Sequence, residues 1–144
     1  MDIAQFGCFD TGGFGDLLMP LIARARLADH RLTALAPAGG TSLRWQDAGA
    51  SVASERALDD GFRCDACLIG GGDVVRIGAA DEPAYGTDDP MRHVALPSLW
   101  LGAGLAAERA GARLIWNAPG VAGSAWTAEL QRLVAALLAA SDYV

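Results

Sequence analysis

Two periods alternate along this chain: short apolar runs, and stretches with helical spacing. Ile3 to Phe9 predicts a first strand, followed by a Gly-rich turn, Thr11-Gly12-Gly13-Phe14-Gly15. Leu18, Leu21, Ile22 and Ala25 then fall at i, i+3, i+4 and i+7, which predicts a helix. Pro20 lacks a backbone N–H, so it is expected in or near that helix's first turn. Arg31 to Pro37 reads as a second strand. Thr41 or Ser42 can cap a short helix through about Ala48, and Ser51 to Ala53 reads as a weak third strand.

Asp65 to Ile69 is a compact apolar strand that runs into Gly70-Gly71-Gly72. A long irregular stretch is expected from about Val74 to Leu96. Pro97 to Ala110 predicts a helix with Pro97 near its first turn and Gly111 as its stop. Ala112 to Trp116 is a strand, and Asn117-Ala118-Pro119-Gly120 a loop. Leu130, Leu133, Val134, Leu137 and Leu138 share one face of a final helix, after which Asp142-Tyr143-Val144 opens another strand.

Strands that alternate with helices predict an α/β domain with a parallel sheet and helices on both faces, a Rossmann-like arrangement. Ligands of such sheets sit beyond the carboxyl ends of the strands. Three of the predicted strands end in loops rich in glycine or carrying Asn-Ala-Pro-Gly, so those loops should share one rim.

The length, 144 residues, suits one domain with a proper core. The charge, 11 − 17 = −6, argues against a nucleic-acid partner, whose phosphates need a positive face. All the basic residues are Arg. The longest nearly apolar run, Leu133 to Ala140, is far short of the roughly 20 residues that span a bilayer. Met1 to Gln5 has no basic segment of a signal peptide, and three Cys is an odd number. These features predict free thiols and a cytoplasmic location.

Chemistry concentrates in the loops. In the first, Gly12, Gly15 and Asp16 sit where a strand meets a helix N-terminus. Such a turn can admit a ligand to backbone N–H groups. It can equally be a tight turn with a helix cap. Asp16 there favours the helix but repels phosphate, and suits sugar hydroxyls better. The spacing is not that of a dinucleotide fingerprint. In the second loop, Gly70, Gly71 and Gly72 weaken any regular element, so close approach to a ligand or a positive φ should offset that cost. Asp73 can accept from a hydroxyl, and Arg76 can meet a phosphate or carboxylate bidentately. In the third, Asn117 offers a donor and an acceptor at a strand end, or simply begins a turn.

Asp81, Glu82, Tyr85, Asp88, Asp89, Arg92 and His93 lie in the long irregular stretch. Its carboxylates lack the register of a calcium loop and read as a solvated acidic loop. Cys64-Asp65-Ala66-Cys67 leads into a strand, not a helix N-terminus, so it reads as core packing in preference to a redox pair or a zinc site. No metal or cofactor is called for.

Together these residues resemble the amino-terminal half of the polysaccharide pyruvyl transferase family. The resemblance rests on Gly15-Asp16 before an apolar helix, on Asp65-Ala66-Cys67-Leu68-Ile69-Gly70-Gly71-Gly72-Asp73, on Trp116-Asn117-Ala118-Pro119-Gly120-Val121, and on Ser141-Asp142-Tyr143-Val144. It implies the amino-terminal domain of a two-domain GT-B-like enzyme. That enzyme moves pyruvate from phosphoenolpyruvate to a sugar of a cell-surface polysaccharide or its lipid-linked precursor, as a ketal. The implied partners are phosphoenolpyruvate and a saccharide or lipid-linked saccharide acceptor, with peripheral membrane contact and self-association as further options. Gly13 stands where the family often has Asn, and the family's Arg-Asp motif after Val144 is missing. Gly15-Asp16 and Pro20 are also similar to glycosyltransferases of the heptosyltransferase kind. A stand-alone sugar-binding or assembly module is the non-enzymatic alternative.

Overall fold

A computed structural model describes residues 1–41, 49–78, 80, 85, 90–121 and 127–144. It is an α/β fold. The strands are β1 (Asp2–Phe6), β2 (Arg31–Ala36), β3 (Gly40–Thr41), β4 (Ala50–Ala53), β5 (Ala66–Gly70) and β6 (Arg113–Asn117). The helices are α1 (Phe14–Arg26), α2 (Met91–Ala110) and α3 (Ala128–Ala139), with a 3-10 helix at Ser54–Leu58. The strands form one six-stranded sheet in the order β3-β4-β2-β1-β5-β6. Every pairing is parallel except that of β3 with β4. Tyr143 pairs in parallel with Ile115, so the chain does resume strand pairing beside β6.

The alternation along the central strands explains the layering. Ala4 and Phe6 of β1, Cys67 and Ile69 of β5, and Leu114 and Trp116 of β6 share one core with α2 and α3. Ile3, Ala66 and Leu68 point to the other face, against Leu27 next to α1. Successive residues of a strand face opposite ways, so one apolar run serves two cores. Among the described residues no helix is long and apolar enough to cross a membrane.

Several expectations change. β1 stops at Phe6, not Phe9, because the chain turns at Gly7, where the Phe9 N–H donates to the Gly7 carbonyl at 2.9 Å. Pro20 is not in a first turn but inside α1, where it gives up one backbone N–H of the helical ladder. The helix begins at Phe14 because the extended Gly13 (φ −71°, ψ 117°) hands the chain directly into it. Pro97 likewise lies inside α2, which starts at Met91 within the stretch expected to be irregular. Pro90, already at helical φ −51° and ψ −26°, sets that earlier start. Thr41 belongs to β3, and the short helix expected after it lies outside the described residues. α1 buries Leu17, Pro20 and Ala23, whereas the predicted stripe of Leu18, Leu21 and Ile22 stays 37%, 38% and 44% exposed. In α3, Leu130 and Val134 are buried, while Leu133 and Leu138 are exposed.

One buried polar group stands out. Gln5 of β1 is fully buried, and among the described residues neither its Nε2 nor its Oε1 has a hydrogen-bond partner. It pairs in register between Ala34 and Leu68. An unsatisfied buried amide costs about 1–3 kcal/mol. Gln5→Met keeps the shape and removes both orphan groups. It should therefore stabilise the fold by about 1–2 kcal/mol in a urea titration. A lower midpoint would show that the amide is satisfied in solution.

Candidate functional site

The carboxyl ends of β1, β5 and β6 are adjacent, since the sheet runs β1-β5-β6. The loops that leave them meet as the sequence predicts. Backbone bonds zip the second and third loops together: Gly120 N–H donates to the Gly72 carbonyl at 2.8 Å, and Val75 N–H to the Gly120 carbonyl at 3.2 Å. Val74 and Val75, both buried, pin the segment that follows into the main core.

Glycine makes the close approach possible. Gly72 has φ +67°, and a Cβ built on it would collide with Asp16 Oδ1. A Cβ on Gly13 would lie 2.6 Å from Asp16 Oδ2. The Asp16 carboxylate therefore bridges the first loop and the second. Gly71, with φ +98°, leaves room for Met19, whose Cγ would be 2.8 Å from a Cβ there. A Cβ on Gly120 would collide with Asp73 Oδ1, and one on Gly70 would lie 3.2 Å from the Asn117 Cβ. Asp16, Gly70, Gly71, Gly72, Asp73 and Asn117 thus gather where β1, β5 and β6 end, the place where such sheets form a ligand crevice. Gly12 and Gly15 are exposed on its rim, and a Cβ on Gly15 would meet nothing within 4 Å.

Electrostatics decide what such a crevice favours. Asp16 lies in the first turn of α1, and no side chain caps that helix at Gly13. The positive end of the helix is thus already faced by a carboxylate of the same chain. With Asp73 exposed beside it, the crevice presents hydrogen-bond acceptors. Acceptors suit hydroxyl groups and oppose phosphate.

Arg76 is not drawn into this group. No hydrogen bond or ion pair among the described residues ties its side chain to Asp16, Asp73 or Asn117, and its Nε is buried without a partner. Its carbonyl accepts from Trp100 Nε1 at 3.4 Å. Arg92 has a local tie: its Nε donates to the Ala80 carbonyl at 3.1 Å, and its own carbonyl accepts from Ala80 N–H at 2.7 Å. His93 is exposed in the first turn of α2. Asp81, Glu82, Asp88 and Asp89 lie outside the described residues.

Asp10 escaped the sequence reading. Its Oδ2 accepts from the N–H groups of Ala38 (2.7 Å) and Gly39 (3.2 Å), and its Oδ1 from the Tyr85 hydroxyl at 2.9 Å. It therefore fastens the β1 loop to the β2 loop and anchors the buried Tyr85. An acidic residue just before Thr-Gly-Gly was the available signal, but its partners are 28, 29 and 75 residues away.

The cysteines behave as core residues. Cys67 is fully buried and Cys64 half-buried, with their sulfur atoms 3.6 Å apart and unbridged. Burial pushes the Cys67 thiol far above its ordinary range and raises that of Cys64 as well. Such thiols are poor nucleophiles. Among the described residues, no group of His, Cys, Asp and Glu could hold a metal ion. No family model matches this chain, and neither does any curated protein or solved structure.

Proposed function

We propose that residues 1–144 form the acceptor-side domain of a polysaccharide pyruvyl transferase, a Rossmann-like, amino-terminal domain in a GT-B-like enzyme. The observation that supports this reading is the acceptor-lined crevice, with Asp16 against Gly72 and Asp73 against Gly120. A saccharide offers a row of hydroxyl donors to such a surface. Asn117 adds a donor and an acceptor beside it.

In ketal formation a proton is added to the methylene carbon of phosphoenolpyruvate, and the neighbouring carbon becomes electrophilic. One sugar hydroxyl adds there, phosphate leaves, and a second hydroxyl closes the ketal. Each hydroxyl gives up its proton. Cations are needed for the donor's phosphate and carboxylate, and Arg serves both best. The crevice of this chain has carboxylates instead, which is why the reading assigns it to the acceptor. Its task is to fix two hydroxyls in reach of one carbon.

Kinetics of the full-length transferase test this. Asp16→Ala and Asp73→Ala should each raise the acceptor KM about tenfold, the loss of one charge-assisted hydrogen bond, and leave the KM for phosphoenolpyruvate unchanged. Unchanged acceptor kinetics would sink the proposal. The glycosyltransferase reading is favoured by one feature, Pro20 inside the helix that follows Gly15-Asp16. Turnover with a nucleotide sugar in place of phosphoenolpyruvate would select it.

A further inference from the structure

On one face of the sheet the described helices leave β5 and β6 open. The connections β5-α2-β6 and β6-α3-Tyr143 run the same way across the sheet, and right-handed crossovers put both helices on one side. α1 connects β1 to β2 in the opposite direction and lies on the other side. Over β5 and β6 on that side, the described residues leave a groove of about 480 Å³. Ile3, Leu68 and Ile115 form its floor, Ile22 and Leu27 one wall, and Tyr143 the other. Two strands spaced about 4.8 Å apart make a bed about 10 Å wide, the width of one α-helix.

Charge narrows the choice of occupant. The chain is acidic, yet among the described residues no carboxylate lines this groove. Its titratable side chains other than Tyr143 are Arg26, Arg113 and His30, all at the end where the strands begin. Neither Arg makes an ion pair among the described residues, and His30 Nδ1 is buried without a partner. A second copy fits poorly. Its α1 ends in Arg24 and Arg26, its α3 in no charged residue, and the last turn of its α2 sets Glu108 beside Arg109, so none ends in carboxylates alone.

We infer that this groove receives an amphipathic α-helix of a partner polypeptide, with an apolar stripe and carboxylates in its last turn. The helix lies antiparallel to the strands, as α1 does. Its negative dipole end and its acidic side chains then meet Arg26, Arg113 and His30. The inference is independent of the sugar-side reading, because it rests on a different face.

The probe is a labelled helical peptide of about 18 residues, with Leu at helical spacing and Glu in its last turn. The control carries Lys in place of Glu. In fluorescence anisotropy the Glu peptide should bind at least about tenfold more tightly than the Lys peptide. Arg26→Glu with Arg113→Glu should reverse that preference. Ile22→Asp, at an exposed position, should weaken both peptides about tenfold without lowering the melting temperature. Equal binding of the two peptides, or binding of neither, overturns the inference. Light scattering that shows a dimer dispersed by Ile22→Asp overturns it in favour of a second copy. Sedimentation with phosphatidylglycerol vesicles, lost in Ile22→Asp, overturns it in favour of a lipid surface.

Discussion

Trp100→Ala should destabilise the fold by about 3–5 kcal/mol, the usual cost of emptying a buried aromatic site. Trp100 is fully buried in the core shared by α2, α3 and the central strands. For a chain of this length the melting temperature should drop by roughly 10–15 °C in differential scanning calorimetry. The consequence reaches the crevice. Trp100 Nε1 donates to the Arg76 carbonyl, and the same segment holds the Val75–Gly120 bond that joins the second and third loops. Hydrogen exchange at the Val75 and Gly120 amides should therefore speed up in the variant. Trp100→Phe separates the two contributions. It keeps most of the apolar area but loses the indole donor and part of the ring volume, so its cost should be about 1–3 kcal/mol. A Trp100→Ala variant that melts within a degree or two of the parent would show that α2 does not pack as described.

The second large effect is expected at Gly72. Its φ of +67° costs a residue with a Cβ about 1–2 kcal/mol, and that Cβ would collide with the Asp16 carboxylate. Gly72→Ala should therefore destabilise by about 2–3 kcal/mol in urea titration and force Asp16 out of the crevice. Gly111 is the control, with φ +62° and nothing within 4 Å of its Cβ position. Gly111→Ala should cost only the backbone part, about 1 kcal/mol. A double-mutant cycle isolates the collision. Asp16→Ala combined with Gly72→Ala should recover about 1 kcal/mol relative to the sum of the single changes. Strict additivity would mean that the carboxylate does not lie over Gly72.

Both effects concern residues whose importance was unequally visible. Gly72 was legible, because three successive glycines after an apolar strand demand a local explanation. Trp100 was not, because it lies in a helix whose apolar residues point almost all round, and only packing shows which of them reach the centre. Asp16 could be placed at a helix N-terminus from its neighbours. Its contact with Gly72, 56 positions along the chain, depends on β1 and β5 being adjacent. Arg76 looked equally promising in the sequence, yet no hydrogen bond or ion pair among the described residues joins its side chain to the crevice. Position within a loop does not fix where a long side chain goes.

The prolines show the same division. Pro20 and Pro97 were expected near helix starts, since an isolated helix tolerates them best there. Within the fold, packing outweighs one lost backbone bond, and both sit in helix interiors.

By itself, the sequence determined the alternation of strands and helices and the three loops that carry the crevice. Those features follow from local physics, the periods of 2 and 3.6 residues and the backbone freedom of glycine. The tertiary structure alone decided the sheet order, the buried face of α1, the clasp made by Asp10, and the open face over β5 and β6. Hydrophobic spacing says that a face is apolar. Only long-range strand pairing and the hand of the crossovers say what covers it, and among the described residues they leave one such face open.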